Sequence, residues 1–169
     1  MASRDLRALV YDVEMKAHQL LERYKLEHES ILIYCTYRSY EEQARRFRQG
    51  RPFAVIDDRA QELLHDWNRL DLADTLMNVG PQYGRKVTNA APGQSFHNYG
   101  LAFDAVPVKD GGLIWEAKTK EELVLWNRYG EIGKELGLEW GGDFESLTDL
   151  PHLQAIDADW KRLIKGEKR

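Results

Sequence analysis

Between Ser95 and Asp104 the chain reads Ser-Phe-His-Asn-Tyr-Gly-Leu-Ala-Phe-Asp, which sets an imidazole and a carboxylate seven positions apart around a glycine. Both side chains are good ligands for a transition metal. If residues 101–107 form a strand, Ala102, Asp104 and Val106 share one face, because side chains alternate along an extended chain. Gly100 can take positive φ and turn the backbone, so His97 can fold back over the face that carries Asp104. Small Ala102 leaves room between them.

His152 offers a third ligand. Two imidazoles and one carboxylate suit zinc, with a fourth position left for water, and an open position is what separates a catalytic zinc site from a structural one. Asp149, three residues before His152, is placed to take a proton from that water and pass it to a leaving amine. Leu150 precedes Pro151 and is pushed toward extended geometry, so Asp149 is expected in a turn and His152 at the start of a short strand. Arg38 lies where an apolar run meets a helix start; it would steady negative charge on an attacked carbonyl, or serve only as a structural ion pair. Each assignment is weak on its own, and their conjunction points to a zinc hydrolase.

The elements that must hold these residues follow from the hydrophobic pattern. Leu6, Leu9, Val10, Val13, Ala17, Leu20, Leu21 and Tyr24 recur at helical spacing and predict a helix over 4–27 with Ser3 as its N-cap. Ile31–Tyr37 reads as a buried strand. Ser39 with Glu42 three residues on forms a capping-box pattern that starts a helix running to about Gln49. Residues 57–78 read as one further amphipathic segment, capped by Asp57 or Asp58. Pro92-Gly93 predicts a turn that delivers Ser95 and His97. After a strand to Val108, Lys109–Gly112 reads as a hairpin turn. Residues 120–136 predict a helix with Leu123, Val124, Trp126, Ile132 and Leu136 as its apolar set and Gly137 at its end. Leu138–Phe144 reads as a loop. His18 and His28 read as surface residues, and His65, inside the 57–78 segment with no nearby partner of metal-ligand type, stays out of the site. The expected fold class is α+β: a single domain over 1–169 with a small antiparallel sheet, flanking helices and a zinc site at one face of the sheet.

Composition narrows the function classes. With 169 residues, 43% hydrophobic and 31% charged, the chain suits one soluble domain. A net charge of −4 argues against broad attraction to nucleic acid. The single cysteine, Cys35, excludes an internal disulfide and a cysteine cage, and its apolar surroundings read as a buried inert thiol. The basic stretch from Trp160 onward reads as a frayed, solvated tail within 156–169. No apolar run reaches the length of a membrane span, and the N-terminus lacks the apolar core of a signal peptide.

The central stretch resembles the SxHxxGxAxD signature of the zinc peptidases that include D-Ala-D-Ala carboxypeptidases and dipeptidases and the L-alanyl-D-glutamate endopeptidases of phage lysis. Ser95, His97, Gly100, Ala102 and Asp104 all match. Asp149-Leu-Pro-His152 resembles the second motif of that family, and its aspartate is similar to the L-alanyl-D-glutamate branch, since dipeptidases usually carry Glu there. Tyr37–Gln43, Val87–Ala90 and Trp140–Phe144 also resemble elements of that branch. The resemblance implies that His97, Asp104 and His152 bind one zinc ion. It implies Asp149 as general base and acid, Arg38 as substrate-binding or oxyanion-stabilising, and Ser95 as a substrate or outer contact.

The implied activity is hydrolysis of the L-alanyl-D-glutamate bond of peptidoglycan by a monomeric, phage-type endolysin. Such an enzyme accumulates in the host cytoplasm and acts on the cell wall after the membrane is permeabilised, without inserting in it or binding nucleic acid. Alternatives are D-Ala-D-Ala carboxypeptidase or dipeptidase activity, and a zinc-stabilised wall-binding protein without catalysis. Some phage members bind a regulatory calcium ion; the resemblance gives it no position here, and Asp143 and Glu145 read as a solvated acidic loop. Compared with compact members, residues 52–83 read as an inserted helical segment, either decoration or a lid.

Overall fold

The computed structural model describes residues 2–145 and 148–168. It forms two compact units: Ser3–Tyr37 with Gly100–Ile156, and Arg38–Tyr99 with the segment from Asp157. The fold class is α+β, with one small antiparallel sheet and six α-helices among the described residues.

The first unit holds the sheet. Its strands are β1 (Ser30–Cys35), β2 (Ala102–Lys109), β3 (Gly112–Leu113), β4 (Leu138–Trp140) and β5 (His152–Ala155). The order is β1-β2-β5-β4, with β3 pairing the end of β2. The hairpin turn falls on Asp110 and Gly111, both left-handed, as a two-residue hairpin requires. Helices α1 (Tyr11–Glu27) and α5 (Lys120–Glu135) pack in this unit. Their buried sides are Val13, Ala17, Leu20 and Tyr24, and Leu125, Trp126, Tyr129 and Ile132. Thr119 and Glu122 form a reciprocal capping box that sets the start of α5. The sheet face toward α5 carries Leu153 and Trp140, which lie against Gly133 and Gly130.

Four expectations change here. The N-terminal helix is a short 3-10 turn (Leu6–Ala8) capped by Asp5 rather than Ser3, then α1. The break lets Val10 N donate to Gly100 O at 3.0 Å. Gly100 has φ +67°, and a Cβ there would lie 2.7 Å from the Ala8 carbonyl, so the position admits only glycine. On α5, Leu123 and Val124 are exposed and Leu125 and Tyr129 are buried; the apolar stripe sits one residue further along than its end residues suggest. Leu138–Asp143 is a strand and a 3-10 turn rather than a loop, because β4 pairs with β5, a partner distant in sequence. Asp143, one of the acidic-loop residues, pairs with Lys134 at 2.8 Å.

The second unit is helical: α2 (Tyr40–Arg48), α3 (Phe53–His65), α4 (Leu70–Asn78) and α6 (Trp160–Leu163). Ser39 caps α2 by accepting from Glu42 N, as its motif requires. The expected single segment over 57–78 is two helices, broken at Asn68, which has φ 54°. Pro52, not Asp57 or Asp58, stands at the N-cap of α3. A core of Ala44, Phe47, Ile56, Ala60, Leu63, Leu72, Ala73, Leu76, Ala91 and Ile164 holds these helices together. The 52–83 segment supplies six of these ten residues. Buried Arg48 closes the end of α4 by donating to the carbonyls of Leu76 and Met77.

The tail is not frayed. Ile164 is fully buried, Arg69 donates to its carbonyl at 2.7 Å, and Trp160 lies 5.1 Å from Trp67. Trp160 and Ile164 are four apart, a helical apolar pair embedded among basic residues. Among the described residues no helix is long and apolar enough to cross a membrane.

Candidate metal centre

Three of the six candidate residues belong to the sheet unit. Asp104 lies on β2, His152 opens β5, and the antiparallel register makes them direct cross-strand partners. Side chains so paired stand close on one face. Here His152 Nδ1 is 3.1 Å from Asp104 Oδ1, and both residues are buried, at 8% and 7% exposure. A buried carboxylate and imidazole at that separation need positive charge shared between them, either a proton or a metal ion.

The turn before β5 holds Asp149, which is exposed. Its backbone N donates to Gly141 O at 2.8 Å, and its carbonyl accepts from His152 N at 3.1 Å. Tyr129 Oη and Trp140 Nε1 donate to the carbonyls of Pro151 and Leu150, at 2.7 and 2.8 Å. Burial, assisted by the charge of Asp104, holds the Tyr129 phenol well above its ordinary pKa, so it stays a neutral donor. Three separate groups therefore fix the turn that carries the expected base and starts the strand of the expected ligand.

Cys35 also stands here. The β1–β2 register shifts between Ile33 and Cys35, so Cys35 comes opposite Asp104. Its Sγ lies within 4.8 Å of an Asp104 carboxylate oxygen. The thiol is buried as expected, at 1% exposure. Its place beside the carboxylate follows from a bulge, which residue patterns do not announce.

Arg38, Ser95 and His97 belong to the helical unit, all buried. The Arg38 Nη1 donates to Gln43 Oε1 at 2.8 Å, and Gln43 Nε2 donates to Ala90 O at 2.7 Å. Arg38 N donates to His97 O at 3.0 Å, while Asn98 Nδ2 donates to Arg38 O at 2.7 Å. Asn98 Oδ1 in turn accepts from Gly93 N at 2.9 Å. The stretch 90–98 is thus clipped to Arg38 by Asn98 and to α2 by Gln43. Ser95 opens a short turn by accepting from Asn98 N at 2.9 Å, and His97 lies in the 3-10 turn Phe96–Tyr99 at 2% exposure. Gln43 and Asn98 were not among the expected site residues; an amide buried beside a motif is silent until its partners are seen.

The matched portion of the chain holds Ser95, His97, Asp104, Asp149 and His152 but not Arg38. Residues 88–155 fit the family model described as D-alanyl-D-alanine carboxypeptidase. Over this stretch the chain is similar to that peptidase family. Two curated relatives are similar to it. The peptidoglycan L-alanyl-D-glutamate endopeptidase CwlK of Bacillus subtilis is 46% identical over 77 residues, 43% of this chain and 46% of that protein. The L-alanyl-D-glutamate peptidase of Listeria phage A118 is 36% identical over 61 residues, 36% of this chain and 21% of that protein. The chain therefore matches less than half the length of either relative. Among solved structures it is similar to the Serratia marcescens L-Ala D-Glu endopeptidase ChiX, with TM-score 0.45 and 20% identity over 92% of this chain and 88% of that one. It is also similar to the vancomycin-resistance D,D-pentapeptidase VanY in complex with Zn(II), with TM-score 0.49 and 15% identity over 94% and 79%.

Proposed function

We propose that the chain is a zinc peptidase of the bacterial wall that hydrolyses the L-alanyl-D-glutamate bond of the peptidoglycan stem peptide, in the manner of a phage endolysin. The observation that carries the reading is the buried Asp104–His152 pair, set opposite each other on β2 and β5 inside the family-matched stretch. A carboxylate and an imidazole are the donor types that zinc takes, so the residues fit the ion. The names of the two curated relatives support the bond, and the phage origin of one supports a lytic role.

In this reading His97, Asp104 and His152 hold one zinc ion. When bound, the ion supplies a Lewis acid and lowers the pKa of a water to about 7. Asp149 is not a ligand; its exposed carboxylate accepts the proton of the attacking water and delivers it to the amine of the departing D-glutamate. Arg38, whose Nη1 donates to Gln43, binds the substrate's carboxylate or the carbonyl oxygen as it gains charge. Ser95 contacts the substrate or orients a neighbouring group. The protein acts as a monomer on the wall after the inner membrane is permeabilised, and the helices of 52–83 are an addition to a smaller catalytic domain.

The description of the family model favours a second reading, cleavage at D-alanyl-D-alanine. Mass spectrometry of fragments released from defined peptidoglycan separates the two. New L-alanine carboxyl ends and D-glutamate amino ends support the proposal. Release of terminal D-alanine instead replaces it with the carboxypeptidase or dipeptidase reading.

A further inference from the structure

A cavity of about 380 Å³ lies between the start of α3 and the loop after α4, in the range of small-molecule sites. Arg48, Arg51, Phe53 and Ile56 line one side and Gln82 and Tyr83 the other, so it stands where both ends of the 52–83 segment meet. Backbone ties the two sides together. A Cβ on Gly50, whose φ is +69°, would lie 2.5 Å from Lys86 N and 2.7 Å from Gly84 O. Charge in the lining is one-sided, with two arginines and no carboxylate among the described residues. Neighbouring Arg45, Arg46 and Arg59 pair with Glu41, Glu42 and Glu62. Arg48 and Arg51 instead spend their hydrogen bonds on backbone. Arg48 is 7% exposed and donates from Nη1 to the carbonyls of Leu76 and Met77, while its Nε is sealed from water with no partner among the described residues. Arg51 donates to the carbonyls of Phe47 and Thr88 and lies over the Phe47 ring.

We propose that this cavity binds a small ligand made of one oxyanion, a carboxylate or a phosphate, on a ring or short apolar body. Carbonyl oxygens carry only part of a charge, so the two guanidinium groups are held in place without being neutralised. Burial and the nearby charge of Arg59 lower the Arg51 pKa, the response of a cation that lacks an anion. The helix end adds to the same field. α3 has no acid in its first turn, and Pro52 at its N-cap offers no side-chain acceptor; its positive end borders the cavity through Phe53 and Ile56. Arginine takes carboxylate and phosphate alike through its planar fork. The body of the ligand has its own surface, since Phe53 and Tyr83 stand at the same cavity with their rings largely exposed. The proposal is independent of the zinc reading and gives the 52–83 segment a ligand to hold.

Four probes test it on the full chain in low-salt buffer, where charge is least screened. Phenyl phosphate and phenylacetate carry the two oxyanions on a ring, inorganic phosphate is the anion alone, and benzyl alcohol is the ring alone. Amide 15N–1H shifts and calorimetry follow the titrations. At least one aryl anion shifts the amides of 53–56 and 82–84 saturably, and the tighter of the two names the oxyanion. Inorganic phosphate binds about threefold to tenfold more weakly than phenyl phosphate, and benzyl alcohol leaves these amides unmoved. Gln82→Glu puts a carboxylate into the wall and weakens the aryl anions by about tenfold or more, while Gln82→Ala stays within about threefold of wild type. Phe53→Ala, at a position 62% exposed, weakens the aryl anions about threefold to tenfold and leaves inorganic phosphate within about twofold. No saturable shift with either aryl anion at about 10 mM, benzyl alcohol binding as tightly as they do, or unchanged affinity in Gln82→Glu overturns the proposal. Inorganic phosphate binding as tightly as phenyl phosphate overturns it too, because the ring would then contribute nothing.

Discussion

Replacing Ile164 with alanine tests whether the C-terminal segment belongs to the folded core. The side chain is fully buried, and its neighbours limit how far the gap can close. A Cβ placed on Gly93 would meet Ile164 Cδ1 at 3.1 Å and Leu72 Cδ1 at 2.6 Å, so one wall of the site is backbone. That wall is held from behind: Gly93 N donates to Asn98 Oδ1, and its carbonyl accepts from Tyr99 Oη at 2.8 Å. Isoleucine-to-alanine changes in cores cost about 2–5 kcal/mol, with the larger losses where the surroundings cannot collapse. A rigid wall places this site in the upper part, about 3–5 kcal/mol. At roughly 2–4 °C per kcal/mol for a chain of this size, Tm falls by about 6–20 °C. Ile164→Val, which leaves most of the volume filled, costs about 0.5–1.5 kcal/mol. Ile156, 64% exposed, provides the control: its alanine variant stays within about 0.5 kcal/mol of wild type. Urea and calorimetric melts measure the series, and amide exchange at 160–164 reports whether the segment opens first. If Ile164→Ala costs no more than Ile156→Ala, the segment is not part of the core and the packing argument fails.

The remaining predictions concern the site. Asp149→Ala retains zinc and fold while kcat/KM on defined peptidoglycan falls about 10²–10⁴-fold, the range for loss of a general base; metal content and turnover are measured on the same sample, and unchanged turnover removes Asp149 from the mechanism. Arg38→Lys keeps the charge but loses the planar fork, and kcat/KM drops about 10²–10³-fold at unchanged zinc content; a drop confined to metal content would make Arg38 a structural residue. Gly141→Ala puts a Cβ 2.5 Å from the Asp149 carbonyl and 3.0 Å from His152 Cβ, which displaces both, so zinc affinity and activity fall together; wild-type affinity counts against the turn as support for the site. Dialysis against a chelator abolishes activity, and zinc restores it; full activity in metal-depleted protein refutes the zinc reading.

What the residues revealed in advance was local. Ser39 with Glu42, the two-residue turn at Asp110-Gly111, and the Leu150-Pro151 constraint each act over three or four positions, and the structure places α2, the hairpin and β5 accordingly. Candidate residues stood out through spacing, His97 and Asp104 around Gly100 and Asp149 and His152 around Pro151. Long-range pairing was not legible. Three residues of β4 carry too little alternation to declare a strand, and β4 exists because β5 lies beside it. The bulge that sets Cys35 opposite Asp104 depends on a register formed by segments some seventy residues apart. Asn68 hid the break between α3 and α4, since apolar spacing continues across it and only the backbone angle changes. In the tail, net basic character masked the Trp160–Ile164 pair, two apolar side chains that outweigh the charges around them.

The place of β2 in the sheet has a practical consequence. β2 lies between β1 and β5, and β1 ends at Cys35, far upstream of where the family-matched stretch begins at residue 88. A fragment cut to 88–155 keeps β2, β5 and β4 but strips one side of β2 along its whole run opposite Ser30–Cys35. The exposed edge is Asp104-Ala-Val-Pro-Val, mostly apolar and bare of lysine until Lys109, with only Asp104 and Pro107 to oppose pairing with a second copy of itself. Such a fragment is expected to associate more readily than the full chain, and light scattering of the two at equal concentration checks it. The recognisable portion of this protein is shorter than the sheet it belongs to, and any shortened chain must retain the strand that its own motif does not contain.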